Sequence, residues 1–598
     1  MAASVIVIGG GVAGLSAAHE LIERGFTVDV YDTRATWGGK ARSQPLAGTG
    51  TSGRRDLPGE HGFRFYPRFY QHVIDTMKRI PDGAGHVGDH LKPVTEAAIA
   101  LVDRDTWVRF ARERITKPYD LIETLQIFFQ DLDFDDGDVA LFSSKILQFA
   151  TTCDDRRLAE CELVSWFDFL DAKLCSTNFQ KQLRGIPRML VAMDSLRGSA
   201  RTVGTITMQL LLDFATTGVN NDRTMGGPTT EMWIDPWIAY LTSRGVTLHG
   251  STAISSIEVA GGKISGVKIG ASTVTADYYV MAVPLDVAIG MITPEMGALD
   301  PVLDKLRAQN PDDLVSWMVG LQFYLYEDVP LVRGHTFYPD SPWALTSISQ
   351  PQFWRDQGLF RRRYGDGEVG GLLSVDISEW TVPGTYVTKP ANQCTPAEIS
   401  QEVWGQLKAA LNGTAAGEDV LTDDLLHSWH LDDDLDYSGG EPPRNSSRLL
   451  VHPPGSWALR PDAGSAIPNL VVASDYVRTN TNIESMEGAN EAARRAVNAI
   501  LDRAGSIAPR AQIWTLTEPS ELDLAKKLDA WLFKHGHRHV FEILGLEDGA
   551  KAAVWLRRFD QAIGLTHLDD LFNEDFKLTA IMRAILEKLG IPVSSTDQ

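Results

Sequence analysis

Glycines at positions 9, 11 and 14 stand between an apolar run, Ser4-Val-Ile-Val-Ile8, and a helix-forming stretch, Leu15-Ser-Ala-Ala-His-Glu-Leu-Ile-Glu-Arg24. That spacing suits a diphosphate. Gly9 permits a tight turn, Gly11 lets the backbone approach a phosphate, and Gly14 lets the helix close on the strand. The N–H groups at the helix start, around Val12 and Ala13, then face an anion. A second strand, Thr27-Val-Asp-Val-Tyr31, ends at Asp32, whose carboxylate can accept hydrogen bonds from a ribose. Strand, glycine turn, helix, strand and acid in this order predict a dinucleotide site.

The next residues select the dinucleotide. Asp32-Thr-Arg-Ala-Thr-Trp-Gly-Gly-Lys-Ala-Arg42 adds two glycines and three cations just past the acid. Close backbone and positive charge there suit the phosphates and ring of a flavin, and a plain nicotinamide site has no need of them. On these residues the sequence resembles the flavoprotein amine oxidase and phytoene desaturase superfamily, whose signature is an acid, an arginine and Gly-Gly-Lys/Arg. The resemblance implies FAD. It places Asp32, with Thr33, at the adenosine ribose, Arg34 and Lys40 at the phosphates, and Gly38, Gly39, Ala41 and Arg42 near the flavin.

Three distant stretches carry the same resemblance. Glu60-His-Gly-Phe-Arg-Phe-Tyr-Pro-Arg-Phe-Tyr70 is similar to the segment of plant and cyanobacterial phytoene desaturases that passes the flavin into the substrate channel, which puts Gly62 and Phe63 at the cofactor. Gly245–Val259 with Ala276–Pro284 resembles the family's second FAD-binding run, with the Ile254 backbone facing the adenine. Asn469-Leu-Val-Val-Ala-Ser-Asp475 ends in an acid for the ribityl or phosphate end of FAD, although Ser474 stands where the family has glycine. Asn482-Ile-Glu-Ser-Met-Glu-Gly-Ala489 then opens a helix at the flavin pyrimidine, with Ser485, Met486, Glu487 and Ala489 beside it. A helix start there, with the backbone of Glu487 and Gly488, would stabilise negative charge on reduced flavin. The Ser-Met-Glu-Gly-Ala sequence is nearer to the phytoene desaturase and hydroxysqualene dehydroxylase branch than to amine oxidases.

The order of these motifs predicts the architecture. The resemblance implies an α/β fold with a Rossmann-like, glutathione-reductase-like FAD-binding domain built from 1–90, 225–299 and 445–509. An inserted α+β substrate domain spans 91–224 and 300–444, and a helical C-terminal extension spans 510–598. Periodicity predicts helices at Tyr119–Phe129, Val139–Phe149, Glu521–Phe533, Ala550–Phe559 and Phe576–Leu586. Alternation predicts strands at Trp317–Leu325 and Gly370–Ile377.

At 598 residues the chain is too long for one core. Its 43% hydrophobic and 22% charged residues are those of a globular protein. A net charge of −22 argues against nucleic acid and against broad electrostatic attachment to anionic lipid. No apolar run is long enough for a span, and the N-terminus enters a strand at once, so a cytoplasmic protein is expected, with room for peripheral membrane contact through Trp166–Leu170 and for a homo-oligomer. Cys153, Cys161, Cys175 and Cys394 have no CxxC spacing and read as free thiols. The acidic stretches Asp131–Asp138 and Asp432–Gly440 read as solvated loops, and Lys534-His-Gly-His-Arg-His539 as a polar helix–loop junction rather than a metal site.

A flavin accepts a hydride once the protein aligns a C–H bond with it and excludes water. Arg64 and Tyr66, inside the second motif, are the candidate catalytic residues, Arg64 as a stabiliser of developing negative charge. Aromatics at Phe63, Phe65, Trp166, Phe167, Phe169, Trp317, Phe323 and Tyr324 could wall an apolar channel, or fill cores. The preferred reading is dehydrogenation or desaturation of a long apolar, carotenoid- or isoprenoid-like small molecule, with oxygen or a quinone as electron acceptor. The alternatives are an amine oxidase making an imine and hydrogen peroxide, and a flavin-fold assembly partner without turnover.

Overall fold

Ser4–Ile8 carries valine and isoleucine on both faces, and such a strand is stable only where both faces are covered. It lies in the middle of a five-stranded parallel sheet, in the order Leu470–Val472, Tyr278–Met281, Ser4–Ile8, Thr27–Tyr31, Thr247–His249. This computed structural model describes residues 2–62, 64–102, 107–111, 134–214, 222–413, 419–440, 442–551 and 554–555. The helix Val12–Glu23 packs on the sheet and against the helix Met486–Arg503. Val5, Val7, Val28, Val30, Val280 and Val471 are fully buried at the centre, each contributing about 1.5–3 kcal/mol.

A second, mixed sheet of seven strands runs Leu426–Leu431, Val319–Leu325, Gly371–Ile377, Leu345–Ser349, Gly334–Tyr338, Glu96–Ile99, Val108–Ala111. Its two faces differ in chemistry. Leu321, Phe323, Leu373, Val375 and Ile377 pack on the helix Pro396–Leu411 through Ile399, Val403 and Leu407. Thr395 and Glu398 cap that helix reciprocally. The opposite face carries Gln322, Tyr324, Thr346, Ser374, Asp376 and His430, as the register Gly320↔Asp376, Gln322↔Ser374 and Gln322↔His430 requires. The segment before Gly62 crosses this polar face. The Tyr324 hydroxyl donates to the Pro58 carbonyl at 3.0 Å, Gln322 Nε2 donates to the Glu60 carbonyl at 3.3 Å, and a Cβ on Gly320 would lie 2.5 Å from the His61 carbonyl.

Both sheets belong to one compact unit, residues 1–111, 185–194 and 218–516; the other comprises 112–184, 195–217 and 517–598. The second unit is helical where described: Asp136–Thr151, Asp154–Ala159, Ala200–Phe214, Asp523–Lys534 and Val540–Leu544. The tail helix therefore packs on inserted helices. Asp529, fully buried, accepts from Arg156 Nε at 2.9 Å and from the Cys153 N–H at 2.9 Å.

Trp166 and Leu170 are each 1% exposed and Phe167 is 4% exposed, with Trp166 stacked on Phe169. This corrects the expected membrane contact at Trp166–Leu170 for the side chains of Trp166, Phe167 and Leu170, which are core, while Asp168 between them is exposed. Trp317 packs on Trp380 and Phe323 on Trp404, on the apolar side of the large sheet. The four cysteines are free and buried, and burial pushes the thiols of Cys153, Cys161 and Cys175 up to about 12. Among the described residues no helix is long and apolar enough to cross a membrane. The expected helices at 119–129 and 576–586 lie outside the described residues, as does most of 550–559.

Candidate functional site

The glycine turn after Ser4–Ile8 has the clearances a diphosphate needs. Gly9 sits at φ +107°, and a Cβ on Gly14 would lie 1.8 Å from the Gly9 carbonyl oxygen, so both glycines are demanded by the protein itself. Gly11 is different. A Cβ there would meet nothing closer than Gly39 Cα at 3.8 Å. The helix that Gly11 opens has no side-chain cap and no acid in its first turn, so Val12 and Ala13 begin a helix whose positive end no carboxylate of its own opposes. The second glycine pair packs on the first: Gly38 at φ +98° bridges to Gly11, and a Cβ on Gly39 would lie 3.0 Å from Gly11 Cα. An uncapped helix start beside a Cβ-free opening fits the diphosphate of a dinucleotide.

Asp32 stands at the end of its strand as expected. Its Oδ2 accepts from the Gly10 N–H at 2.7 Å and its Oδ1 from the Arg34 N–H at 2.8 Å, and each oxygen keeps acceptor capacity for a further donor. The run preceding Ile254 lies alongside, with the Thr252 N–H on the Asp32 carbonyl at 2.8 Å and the Ser251 N–H on the Arg34 carbonyl at 2.9 Å. Trp37, unremarked in the sequence, covers this corner, because a Cβ on Gly10 would lie 2.4 Å from its ring.

The three cations have acidic partners that the sequence did not announce. Arg42 NH2 and Arg34 NH2 both donate to Asp434 Oδ1, at 2.7 and 3.2 Å. Arg42 NH1 also donates to the Gly39 carbonyl at 2.9 Å, which ties the cluster to the glycine turn. Asp432 holds His61 Nδ1 and accepts from Gln44 Nε2 at 2.7 Å. Asp432 and Asp434 are 2% and 6% exposed, which corrects the reading of Asp432–Gly440 as a solvated loop at these two positions. Burial works to raise both carboxyls, but His61 beside Asp432 and Arg42 on Asp434 hold them below the usual carboxylate range. Lys40 instead reaches Glu484: its Nζ donates to Glu484 Oε1 at 2.6 Å and to the Arg448 carbonyl at 2.5 Å.

The Glu60–Tyr70 segment is locked from several sides. Glu60 Oε1 accepts from Ser43 Oγ at 2.6 Å and from the Thr229 N–H at 2.8 Å. Arg64 NH2 donates to the Lys40 carbonyl at 2.8 Å and lies 3.6 Å from Glu60 Oε2, so this guanidinium is on the Gly-Gly-Lys turn. Tyr66 is fully buried between Tyr70 and Trp233, and burial drives its hydroxyl far above the usual tyrosine range. A Cβ on Gly62 would come within 2.8 Å of Asp376 Oδ1, so the polar face of the large sheet meets the chain at this glycine. Phe63 lies outside the described residues.

At the other end, Leu470–Val472 leads to Ser474 and Asp475, with Ser474 Oγ donating to Asp475 Oδ1 at 3.1 Å. Ser485 caps the helix Met486–Arg503, accepting from the Gly488 N–H at 3.0 Å. That N–H is therefore committed within the chain, a correction to the expectation that the Gly488 backbone serves the cofactor. A Cβ on Gly488 would lie 2.6 Å from the Ile483 carbonyl, so glycine is required there by the cap itself. The Glu487 carboxylate turns to another helix start: Oε1 accepts from the Gln71 and His72 N–H groups and from His72 Nδ1, and Oε2 from the Val73 N–H, all within 2.9 Å. Met486 and Ala489 are partly buried against the core of the parallel sheet.

Sequence reasoning missed Glu484, Asp434, Asp432 and Asp376. Glu484 adjoins the Ser-Met-Glu-Gly-Ala sequence and Asp434 lies in a marked acidic run, so position was signal enough to name them but not to pair them.

A parallel sheet with a Cβ-free helix start at its strand ends, joined to a large mixed sheet, defines a dinucleotide-binding fold of two sheets. The chain belongs to the flavin-containing amine oxidoreductase family, whose family model matches residues 12–501, and it is an FAD-dependent oxidoreductase. It is 25% identical over 541 residues to a zeta-carotene desaturase of Synechocystis, covering 83% of this chain and 97% of that one. It is 23% identical over 556 residues to the carotenoid phi-ring synthase of Streptomyces griseus, covering 88% and 93%. Among solved structures, cyclohexylamine oxidase from Brevibacterium oxydans superimposes with a TM-score of 0.55 at 14% identity, over 84% of this chain and 100% of that one, and shares the fold.

Proposed function

We propose that the chain dehydrogenates a long apolar, isoprenoid-like substrate by hydride transfer. The observation that carries this reading is the end-to-end similarity to carotenoid-acting enzymes, over 83–88% of this chain and 93–97% of theirs. FAD, when bound, supplies the hydride-accepting ring. In this reading Gly11, Val12 and Ala13 meet the diphosphate, Asp32 the ribose and Lys40 the phosphate charge. Arg64 fixes the Gly-Gly-Lys turn through the Lys40 carbonyl, and Asp475 lies toward the ribityl end. An apolar ligand is held mainly by area removed from water, roughly 25 cal/mol per Å² before the costs of binding.

One observation favours the amine oxidase alternative. The large sheet turns Gln322, Ser374 and Asp376 toward the segment before Gly62, and a carboxylate there can hold an ammonium. Anaerobic mixing of the FAD-loaded protein with isoprenoids in liposomes and with primary and secondary amines separates the two. Bleaching of the flavin by an isoprenoid is the expected result. Rapid bleaching by small amines, with none by any isoprenoid, refutes the assignment.

A further inference from the structure

Two carboxyl groups and one lysine meet where the Gly-Gly-Lys turn, the Leu470–Val472 strand end and the start of the Met486–Arg503 helix converge. Lys40 Nζ donates to Glu484 Oε1 at 2.6 Å, and the nearby Asp475 carboxylate opposes negative charge on Glu484. Two carboxyl groups beside one lysine favour a proton on one of them. Among the described residues no hydrogen-bond donor reaches Glu484 Oε2, although the side chain is only 9% exposed. The other charged groups nearby are already committed: Asp286 is paired with Arg448, the Arg64 guanidinium is on the Lys40 carbonyl, and the Glu487 carboxylate is on the N–H groups of 71–73. Tyr70 stays protonated because burial pushes it well up. Lys40 thus pairs with Glu484 within reach of the charges of Asp475 and Asp286, and a diphosphate arriving beside it would bring two further negative charges.

We propose that Glu484 is a proton-carrying ligand of the FAD diphosphate: it binds as the neutral acid, donating its hydrogen to a phosphate oxygen while Lys40 transfers its charge from Glu484 to the phosphate. The inference rests on the placement of the diphosphate beside Lys40. The proton comes from solvent and stays on the Glu484 carboxyl, so FAD binding above the ionisation of the free carboxyl takes up one proton. Burial pushes that carboxyl up to about 8, against the attraction of Lys40 and with the repulsion of Asp475. Because the protonated form binds, affinity is flat below pH 8 and falls about tenfold per pH unit above it.

The test is titration of apoprotein with FAD between pH 7 and 9.5, followed by quenching of flavin fluorescence, for the wild type, Glu484→Gln and Lys40→Ala. Glu484→Gln keeps a neutral side chain of the same shape, so its affinity should stay flat across the range while the wild type weakens tenfold per unit above pH 8. In weakly buffered indicator solution at pH 8.5, the wild type should take up more than half a proton per FAD and Glu484→Gln none. A wild-type profile without slope, equal slopes in wild type and Glu484→Gln, or no proton uptake by the wild type overturns the proposal. Lys40→Ala should weaken FAD at every pH. Unchanged affinity in that variant overturns the placement of the diphosphate itself.

Discussion

Replacing Glu487 with alanine should open the start of the His72–Arg79 helix, and the structure sets the size of the effect. The carboxylate, 1% exposed, is the acceptor for three backbone N–H groups and for His72 Nδ1. Truncation leaves His72 and Val73 with buried donors and Gln71 with a partly exposed one. An orphaned buried donor costs about 1–3 kcal/mol, so the two buried N–H groups together cost about 2–6 kcal/mol. That exceeds the ~1–2 kcal/mol of an ordinary N-cap deletion, because one side chain here serves the whole first turn. Hydrogen exchange of the 72–79 amides reads it directly, since local opening free energies convert to protection. At about 1.4 kcal/mol per tenfold, Glu487→Ala should lower protection there by roughly one to four powers of ten. Glu487→Gln, which keeps one accepting oxygen, should fall between. Protection in Glu487→Ala within threefold of wild type would refute the capping role and the anchoring of the Met486–Arg503 helix through it.

Asp434→Ala removes the shared acid of Arg34 and Arg42 and leaves Arg42 buried without its counter-charge. A loss of about 3–5 kcal/mol in urea unfolding is expected, and a somewhat smaller one for Asp434→Asn, which keeps an accepting oxygen but not the charge. In the helical unit, burial holds His539 down to about 4 against the pull of Asp529. Its folded-state pKa is below the unfolded value near 6.5, so its contribution is present above pH 6.5 and is lost as pH falls toward 4. The urea unfolding free energy of the tail helices, followed by limited proteolysis, should decline by up to about 3 kcal/mol over that window in wild type. His539→Gln should flatten the decline.

What could be read in the sequence follows distance along the chain. Strand, glycine turn, helix and Asp32 are all local, and their chemistry is in the residues themselves: Gly14 must be glycine because the strand end is 1.8 Å from where its Cβ would be. Arg34, Lys40 and Arg42 were legible as cations near phosphate, but their partners lie 392–444 residues away and no pattern links them. Gly488 shows the opposite failure. It was recognised as part of a motif, yet its reason is the Ile483 carbonyl five residues back, a backbone approach that a sequence does not display. The amphipathic tail helix Asp523–Lys534 could be seen at once, whereas its buried partner Arg156 could not.

The most direct measurement is FAD affinity in Gly11→Ala compared with Gly14→Ala. A methyl group at Gly11 meets no protein atom within 3.8 Å, so the apoprotein should fold as wild type, with unchanged circular dichroism and melting, while FAD affinity falls at least tenfold because that space belongs to the diphosphate. Gly14→Ala should instead damage the apoprotein itself. Wild-type FAD affinity in a folded Gly11→Ala would contradict the account.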